Sequence, residues 1–215
     1  MGLRSWQMIK FRASSLADIM ADGKGEDGLS VGAKTAITNM AKEFIYGYDT
    51  VVTSKYMDKG LQVEDKSIAL LNSVLFTNYV KNTERRSNDW ITGECDIVGK
   101  DRIHDIKSSW SLSTFPVLSS QGEDKTYEWQ GRAYMMLWDI DIFEIDYCLV
   151  NTPDSLIGYE PYNIHIVEHI APELRVTRVV YERDKKLEDK IKIKVDAARK
   201  YYEQVIKEIS RQHTF

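Results

Sequence analysis

Residues 91–109, ITGECDIVGKDRIHDIKSS, decide how the rest of the chain is read. Two runs rich in β-branched residues, 90–98 (WITGECDIV) and 102–108 (RIHDIKS), flank the turn residues Gly99-Lys100-Asp101, a hairpin signature. Side chains on a strand alternate faces, so Glu94 shares a face with Asp96, and Asp105 with Lys107. A two-residue turn at Lys100-Asp101 sets Asp96 opposite Asp105 and Glu94 opposite Lys107, with Cβ atoms ~5 Å apart. A three-residue loop would put the two aspartates on opposite faces. Opposed carboxylates repel unless something positive sits between them. A divalent metal is the obvious candidate, because hard cations take carboxylate oxygens and keep several waters. Cys95 points away from Asp96 and reads as a small core residue.

Upstream, residues 61–75 read as a helix with Leu61, Glu64, Ile68, Leu71 and Leu75 on one stripe. Glu64 therefore falls on an apolar face and calls for a cationic partner. The alternative is a half-exposed Glu64 favoured by the helix dipole in the first turn. Earlier still, helices are expected over 14–21, with Ser14 or Ser15 as N-cap, and over 33–46, with Ile37, Met40, Ala41 and Phe44 on one face. DGKGEDGLSVG (22–32) joins them as a flexible loop. Downstream come a helix over 124–139, strands near 143–150, 164–167 and 176–181, and a closing helix over 184–211. The apolar face of that last helix (Leu187, Ile191, Val195, Ala198, Tyr202, Val205, Ile209) is expected to pack against the sheet, with an oligomer contact as the other reading.

Composition bounds the function. The 215 residues are 43% hydrophobic and 29% charged, which is ordinary for one soluble globular domain spanning 1–215. No run reaches the ~18 apolar residues of a membrane span, and MGLRSWQMIKFR lacks the apolar core of a secretory signal. Two cysteines exclude a disulfide framework and a four-cysteine zinc or iron–sulfur site, which suits a reducing cytoplasm. The net charge of −4 provides no global basic footprint for nucleic acid. Residues 183–211, with ten Lys/Arg against six Asp/Glu, are mildly basic.

The residues so far suggest a metal site made by Asp96 and Asp105, with Glu64 as a further direct or water-mediated ligand. Lys107 would position or activate a water and stabilise developing negative charge, a grouping suited to phosphodiester hydrolysis. Asp-x-Lys alone is common and is usually an exposed strand face with a cross-strand ion pair. Its place after a helix Glu and a strand Asp is what raises it.

In that order the chain resembles the PD-(D/E)xK nuclease superfamily, and within it the lambda-exonuclease/YqaJ-like phage recombination exonucleases. The matching segments are GLQVEDKSIALL with Glu64, ITGECDIVG with Asp96, HDIKSSWS with Asp105-Ile106-Lys107, and YEWQGRAYMMLW with Gln130 and Tyr134 in a Gln-x-x-x-Tyr signature. The opening RASSLADIM also looks like this family, and the likeness covers about residues 11–153. The resemblance implies an α/β (α+β) fold with a restriction-endonuclease-like core: a central mixed β-sheet flanked by helices, followed here by the long C-terminal helix. It implies a Mg²⁺-dependent exonuclease, with two ions and Mn²⁺ able to substitute. The substrate would be linear double-stranded DNA degraded 5′ to 3′, leaving 3′ single strands for a single-strand annealing protein in phage-type recombination. A homotrimeric ring in the host cytoplasm is implied too, and a ring needs fewer ionic contacts to hold DNA.

By the same resemblance Glu64, Asp96, Asp105 and the Ile106 carbonyl would be metal ligands, and Lys107 the catalytic lysine. Gln130 and Tyr134, one helical turn apart on a face shared with Tyr127 and Leu137, would orient the scissile phosphate or the catalytic residues. Ser14 and Arg12 would grip the terminal 5′-phosphate, with Arg4 or Lys10 as alternatives to Arg12, which is closer to the serine than the family's arginine. Two further readings are an endonuclease or flap-processing nuclease on the same fold, and an inert DNA-binding module. The first differs in what it cuts; the second leaves a costly acidic cluster without a purpose. The segment HIVEH (165–169) matches a zinc-peptidase pattern only if helical. Its β-branched residues favour a strand, which would hold the two histidines ~13 Å apart.

Overall fold

The computed structural model describes residues 9–213, so Arg4 lies outside the described residues. Its elements begin with β1 (Phe11–Arg12), α1 (Ala17–Met20), α2 (Val31–Tyr46) and α3 (Lys55–Leu75). Next come β2 (Arg86–Ser87), β3 (Ile91–Gly93), β4 (Ile97–Val98) and β5 (Arg102–Ser108). The chain continues through α4 (Lys125–Trp138), β6 (Ile142–Cys148), α5 (Asp154–Ile157), β7 (Val176–Glu182) and α6 (Lys185–Gln212).

Side-chain caps start the long helices where free N–H groups need acceptors. Ser30 Oγ accepts from the Ala33 N–H (3.1 Å), and Ser54 Oγ from Met57 (3.2 Å). Asp124 Oδ1 accepts from Thr126 and Tyr127 (2.7 and 3.1 Å). The expected cap at Ser14 or Ser15 is absent: residues 13–15 form a 3-10 turn, and Ser15 Oγ donates to the Arg12 carbonyl (3.3 Å).

The mixed sheet is split in two. Four strands run in the order β4-β5-β6-β7, with β5 parallel to β6 and the other pairs antiparallel. Three short strands, β1-β3-β2, make the second sheet, with β1 parallel to β3. The hairpin has the tight turn: Ile97 pairs with His104 and Val98 with Ile103, while the Gly99 N–H donates to the Arg102 carbonyl (2.8 Å). Residues 90–98 are therefore not one strand. The chain leaves one sheet after Gly93 and enters the other at Ile97. Gly93 sits so close to α4 that a Cβ there would lie 2.8 Å from a Tyr134 ring carbon and 3.0 Å from the Ala13 Cβ.

Helix α4 carries the crossover from β5 to β6, as parallel neighbours require. It lies against β6 so closely that a Cβ on Gly131 would be 1.9 Å from Phe143 Cδ1. Helix α3 covers the other face, where Val63, Ile68, Leu70 and Leu71 pack with Ile97, Ile106, Cys148 and Val150. Two expectations change. Residues 164–167 are not a strand: a 3-10 turn (Tyr162–Ile164) leads into a bend whose Val167 N–H donates to Asn151 Oδ1 (2.7 Å). Helix α6 packs on α1, α2 and α4 rather than on the sheet, burying Ile191, Val195, Ala198, Tyr202 and Ile206.

Candidate active site

Because β4 is two residues long, the edge of β5 beyond His104 is left open. Asp105 and Lys107 face α4 from that stretch. Gln130 Nε2 donates to Asp105 Oδ1 (3.2 Å) and to Tyr134 Oη (2.8 Å), and the Tyr134 hydroxyl donates to the Glu94 carbonyl (3.0 Å). Gln130 and Tyr134 thus orient Asp105 and the chain before Asp96. Lys107 Nζ lies 2.6 Å from Asp105 Oδ2 and 4.2 Å from the centre of the Tyr127 ring. Asp96 comes in from the sheet switch, and its Oδ2 accepts the Ile106 N–H (2.7 Å). The N–H and C=O of one strand residue point the same way, so the Ile106 carbonyl belongs to the open side too.

Glu64 has the cationic partner its position demanded, an ion pair with Lys81. The apolar stripe of α3 is rotated from the expected one. Its buried line runs through Lys59, Val63, Ser67, Leu70 and Leu71, while Leu61 is 75% exposed. Glu64 sits at the boundary, half-buried. Glu94 does not face Lys107, because the ladder ends before it; it pairs with Arg85 instead (3.2 Å).

One cleft of about 480 Å³ gathers the candidate metal ligands, the lysine, the Gln-x-x-x-Tyr pair and the candidate phosphate-binding residues Arg12 and Ser14. Glu64, Asp96, Asp105, Ile106 and Lys107 line it, with Gln130 and Tyr134 behind them. Arg12 and Ser14 line it from the second sheet, where Arg12 pairs with Thr92. Lys10 is exposed and is not part of the lining.

Like charges strain this cleft. Burial first, and then the Asp105 charge, push the Asp96 carboxyl up to about 7, against the pull of the Ile106 N–H and Lys107; Glu64 adds to the rise. Burial works to lower the Lys107 pKa, but Asp105 outweighs it, and the net direction is up. Burial and then the Asp96 charge push the Cys95 thiol up to about 12, so it stays neutral in the core. The arrangement offers several carboxylate oxygens to a hard cation, with the Lys107 ammonium beside Asp105 and that of Lys81 beside Glu64.

A second acidic group lies on the opposite face of the sheet. His104, Glu144 and Asp146 bring ligand-type atoms within 4.8 Å of one another, the sole such group among the described residues. It is internally neutralised: Arg102 and Arg178 both pair with Glu144, and His104 Nδ1 lies 2.7 Å from Asp146 Oδ2. Buried carboxylates held this way are a charge network. In the HIVEH segment, His165 is buried between Thr152 (3.0 Å) and Glu160 (3.2 Å), and His169 is exposed.

Sequence reasoning missed Lys81, Asn82 and Arg85, which line the cleft from the irregular segment between α3 and β2. The usable signal was the need of Glu64 for a cation, together with the basic run that follows its helix. It also missed Lys59, fully buried, whose ammonium donates to the carbonyls of Ser109 (2.6 Å), Trp110 (3.0 Å) and Val150 (3.0 Å). Those bonds tie α3 to the loops after β5 and β6.

A mixed sheet with Asp, Asp-x-Lys and a helix Gln-x-x-x-Tyr converging at an open edge defines a nuclease of the PD-(D/E)xK class. The chain is 38% identical to a phage-related exonuclease from Haemophilus somnus 129PT; the match has a TM-score of 0.90 and covers 97% of this chain and 100% of that one. The chain belongs to this family, the phage-related, lambda-exonuclease-like exonucleases. An alkaline exonuclease from Laribacter hongkongensis shares the fold at 16% identity, with a TM-score of 0.67 over 94% of this chain and 92% of that one. Its complex with dAMP matches equally well, at 15% identity. No family model and no curated protein matches the chain.

Proposed function

We propose that the protein is a Mg²⁺-dependent exonuclease that shortens linear double-stranded DNA from 5′ ends, leaving 3′ single strands. The observation that carries this reading is the convergence of Glu64, Asp96, Asp105 and Lys107 in one cleft with Arg12 and Ser14. The donor set fits the ion. Asp96 and Asp105 share the cleft, with the Lys107 ammonium against Asp105, and hard oxygen ligands suit Mg²⁺, or Mn²⁺ in its place. Glu64, Asp96, Asp105 and the Ile106 carbonyl would hold the metal, as two ions. When bound, it supplies Lewis acidity toward a phosphoryl oxygen and lowers the pKa of water.

The chain's own residues do the rest. Lys107, an ammonium fixed against Asp105 and the Tyr127 face, donates to the attacking water and to developing negative charge on the phosphate. Gln130 keeps Asp105 in one orientation, and Tyr134 does the same for the backbone before Asp96. Arg12 has no ion-pair partner among the described residues and reaches the cleft beside the Ser14 hydroxyl; both suit a terminal phosphate. In this reading residues 1–215 act as one nuclease domain. It works as a homotrimer in the cytoplasm of a phage host and passes 3′ tails to a single-strand annealing protein. No helix among the described residues is long and apolar enough to cross a membrane.

The test uses linear and covalently closed duplexes of one sequence, incubated with the protein and Mg²⁺. Loss of the linear form alone, faster from 5′-phosphorylated ends, is the expected result. Cutting of the closed circle would make the protein an endonuclease. Binding without Mg²⁺-dependent loss of either form would make it an inert module. Light scattering of the purified protein checks the trimer.

A further inference from the structure

We propose that Asn82 is a positioning residue that fixes Asp96 for metal binding; the inference rests on the reading of the cleft given above. Asp96 lies outside any strand, because β4 begins one residue later. The three peptides from Glu94 to Asp96 therefore have no ladder partners for their carbonyls, and unpaired peptides in such a switch are free to turn. Each carbonyl has a single dedicated donor instead. Tyr134 Oη donates to Glu94, Asn82 Nδ2 to Cys95 (3.0 Å), and the Asn82 backbone N–H to Asp96 (2.7 Å).

Asn82 thus supplies two of the three bonds. Its own side chain is locked in turn: Nδ2 also donates to the Glu84 carbonyl (2.9 Å), and Oδ1 accepts from the Glu84 N–H (3.1 Å). With the backbone fixed on one side and Ile106 N–H on the carboxylate, Asp96 can present its free oxygen in one direction only. The segment carrying Asn82 is anchored behind it by Asn72 of α3, whose Oδ1 accepts the Tyr79 N–H (2.7 Å) and whose Nδ2 donates to the Tyr79 carbonyl (2.9 Å). Lys81, the neighbour of Asn82, pairs with Glu64. One short segment therefore holds the Glu64 carboxylate and the main chain of Asp96, the two candidate ligand residues that do not lie on β5. An amide is required at position 82: aspartate keeps the acceptor but loses both N–H donors, and alanine loses every side-chain bond.

Asn82 touches no substrate in this account, so its signature is in metal binding rather than in DNA binding. The experiment measures Mn²⁺ binding to the DNA-free full chain by electron paramagnetic resonance. It also measures the Mg²⁺ concentration for half-maximal rate, the KM for linear duplex, and the urea midpoint in EDTA. Asn82→Ala is expected to weaken Mn²⁺ binding about 10–100-fold, as loss of a bond orienting a metal ligand does. The Mg²⁺ requirement should rise by a similar factor, KM should stay unchanged, and saturating Mg²⁺ should restore most of the rate. Asp96→Asn, which removes the ligand itself, should not be restored.

Asn82→Asp separates positioning from folding and from charge. An added carboxylate by itself would tighten cation binding, so weaker Mn²⁺ binding in this variant supports the proposal, and equal or tighter binding overturns it. If Asn82→Ala fails to fold, this variant decides. Wild-type Mn²⁺ affinity in a folded Asn82→Ala also overturns it. If instead the wild-type protein binds no Mn²⁺, or Asp96→Asn binds as well as wild type, the metal reading of the cleft itself is wrong.

Discussion

Replacing Lys107 by methionine keeps most of the aliphatic stem over Tyr127 and removes only the ammonium. In the metal-free protein that ammonium is 2.6 Å from Asp105 Oδ2, and without it Asp105 keeps one side-chain donor, Gln130 Nε2 at 3.2 Å. Losing a charged hydrogen bond there should cost about 1.5–3 kcal/mol of stability in EDTA. Saturating Mg²⁺ should close much of that gap, because the ion restores positive charge between Asp96 and Asp105. The ion and the lysine compete for Asp105, so Mn²⁺ affinity in Lys107→Met should equal or exceed that of wild type. Turnover behaves differently. Loss of one preorganised donor at the reacting phosphate costs ~10²–10³ in kcat, or ~2.7–4 kcal/mol. Release of acid-soluble nucleotide from linear duplex at saturating Mg²⁺ reads the rate, and urea unfolding with and without Mg²⁺ reads the stability. Turnover within about tenfold of wild type would show that another group carries this role. A collapse of Mn²⁺ affinity would show that Lys107 organises the ligands rather than the reaction.

Other perturbations probe the frame and the ends of the cleft. Lys59→Met removes three donations to backbone carbonyls, of which only Trp110 keeps another donor among the described residues, the Thr152 hydroxyl (2.8 Å), so urea unfolding should show a loss of about 1–3 kcal/mol for each of the other two. Burial lowers the folded-state pKa of Lys59 to about 8, below its unfolded value; between the two the unfolded chain binds more protons, so wild-type stability gains on Lys59→Met as pH rises above about 8. A gap that narrows over that range would contradict the sign. Gly131→Ala sets a methyl 1.9 Å from Phe143 and should cost at least about 1–3 kcal/mol in thermal or urea unfolding, with no special effect on Mg²⁺ dependence. Arg12→Ala should raise KM for 5′-phosphorylated ends and leave 5′-hydroxyl ends nearly unchanged; an equal effect on both would remove Arg12 from phosphate recognition.

Local rules carried a large part of the fold. The turn at Lys100-Asp101 fixed the register, and with it the approach of Asp96 to Asp105, because strand alternation leaves little freedom once a hairpin closes tightly. Helix α4 was bounded by Asp124 and by the left-handed Asp139, both visible as residue types that cap and stop helices. Gln130 and Tyr134 shared a face for the same periodic reason. The departures fell where tertiary packing overrides the local pattern. A run of nine residues with strand-like composition splits between two sheets because close packing of Tyr134 against Gly93 and the hydrogen bonds of Asn82 replace ladder pairing. The stripe on α3 turned because Lys59, a charged residue that composition assigns to the surface, finds three carbonyls inside.

The amino-acid order alone was enough to single out Glu64, Asp96, Asp105 and Lys107 as candidates, since alternation along one hairpin and periodicity along one helix follow from backbone geometry over a few residues. It could not determine that Lys81 and Asn82 join them, nor that Glu94 pairs with Arg85 instead of Lys107. Those contacts link segments far apart in the chain, and their positions are set by how helices and sheets pack against one another, a quantity no local pattern encodes.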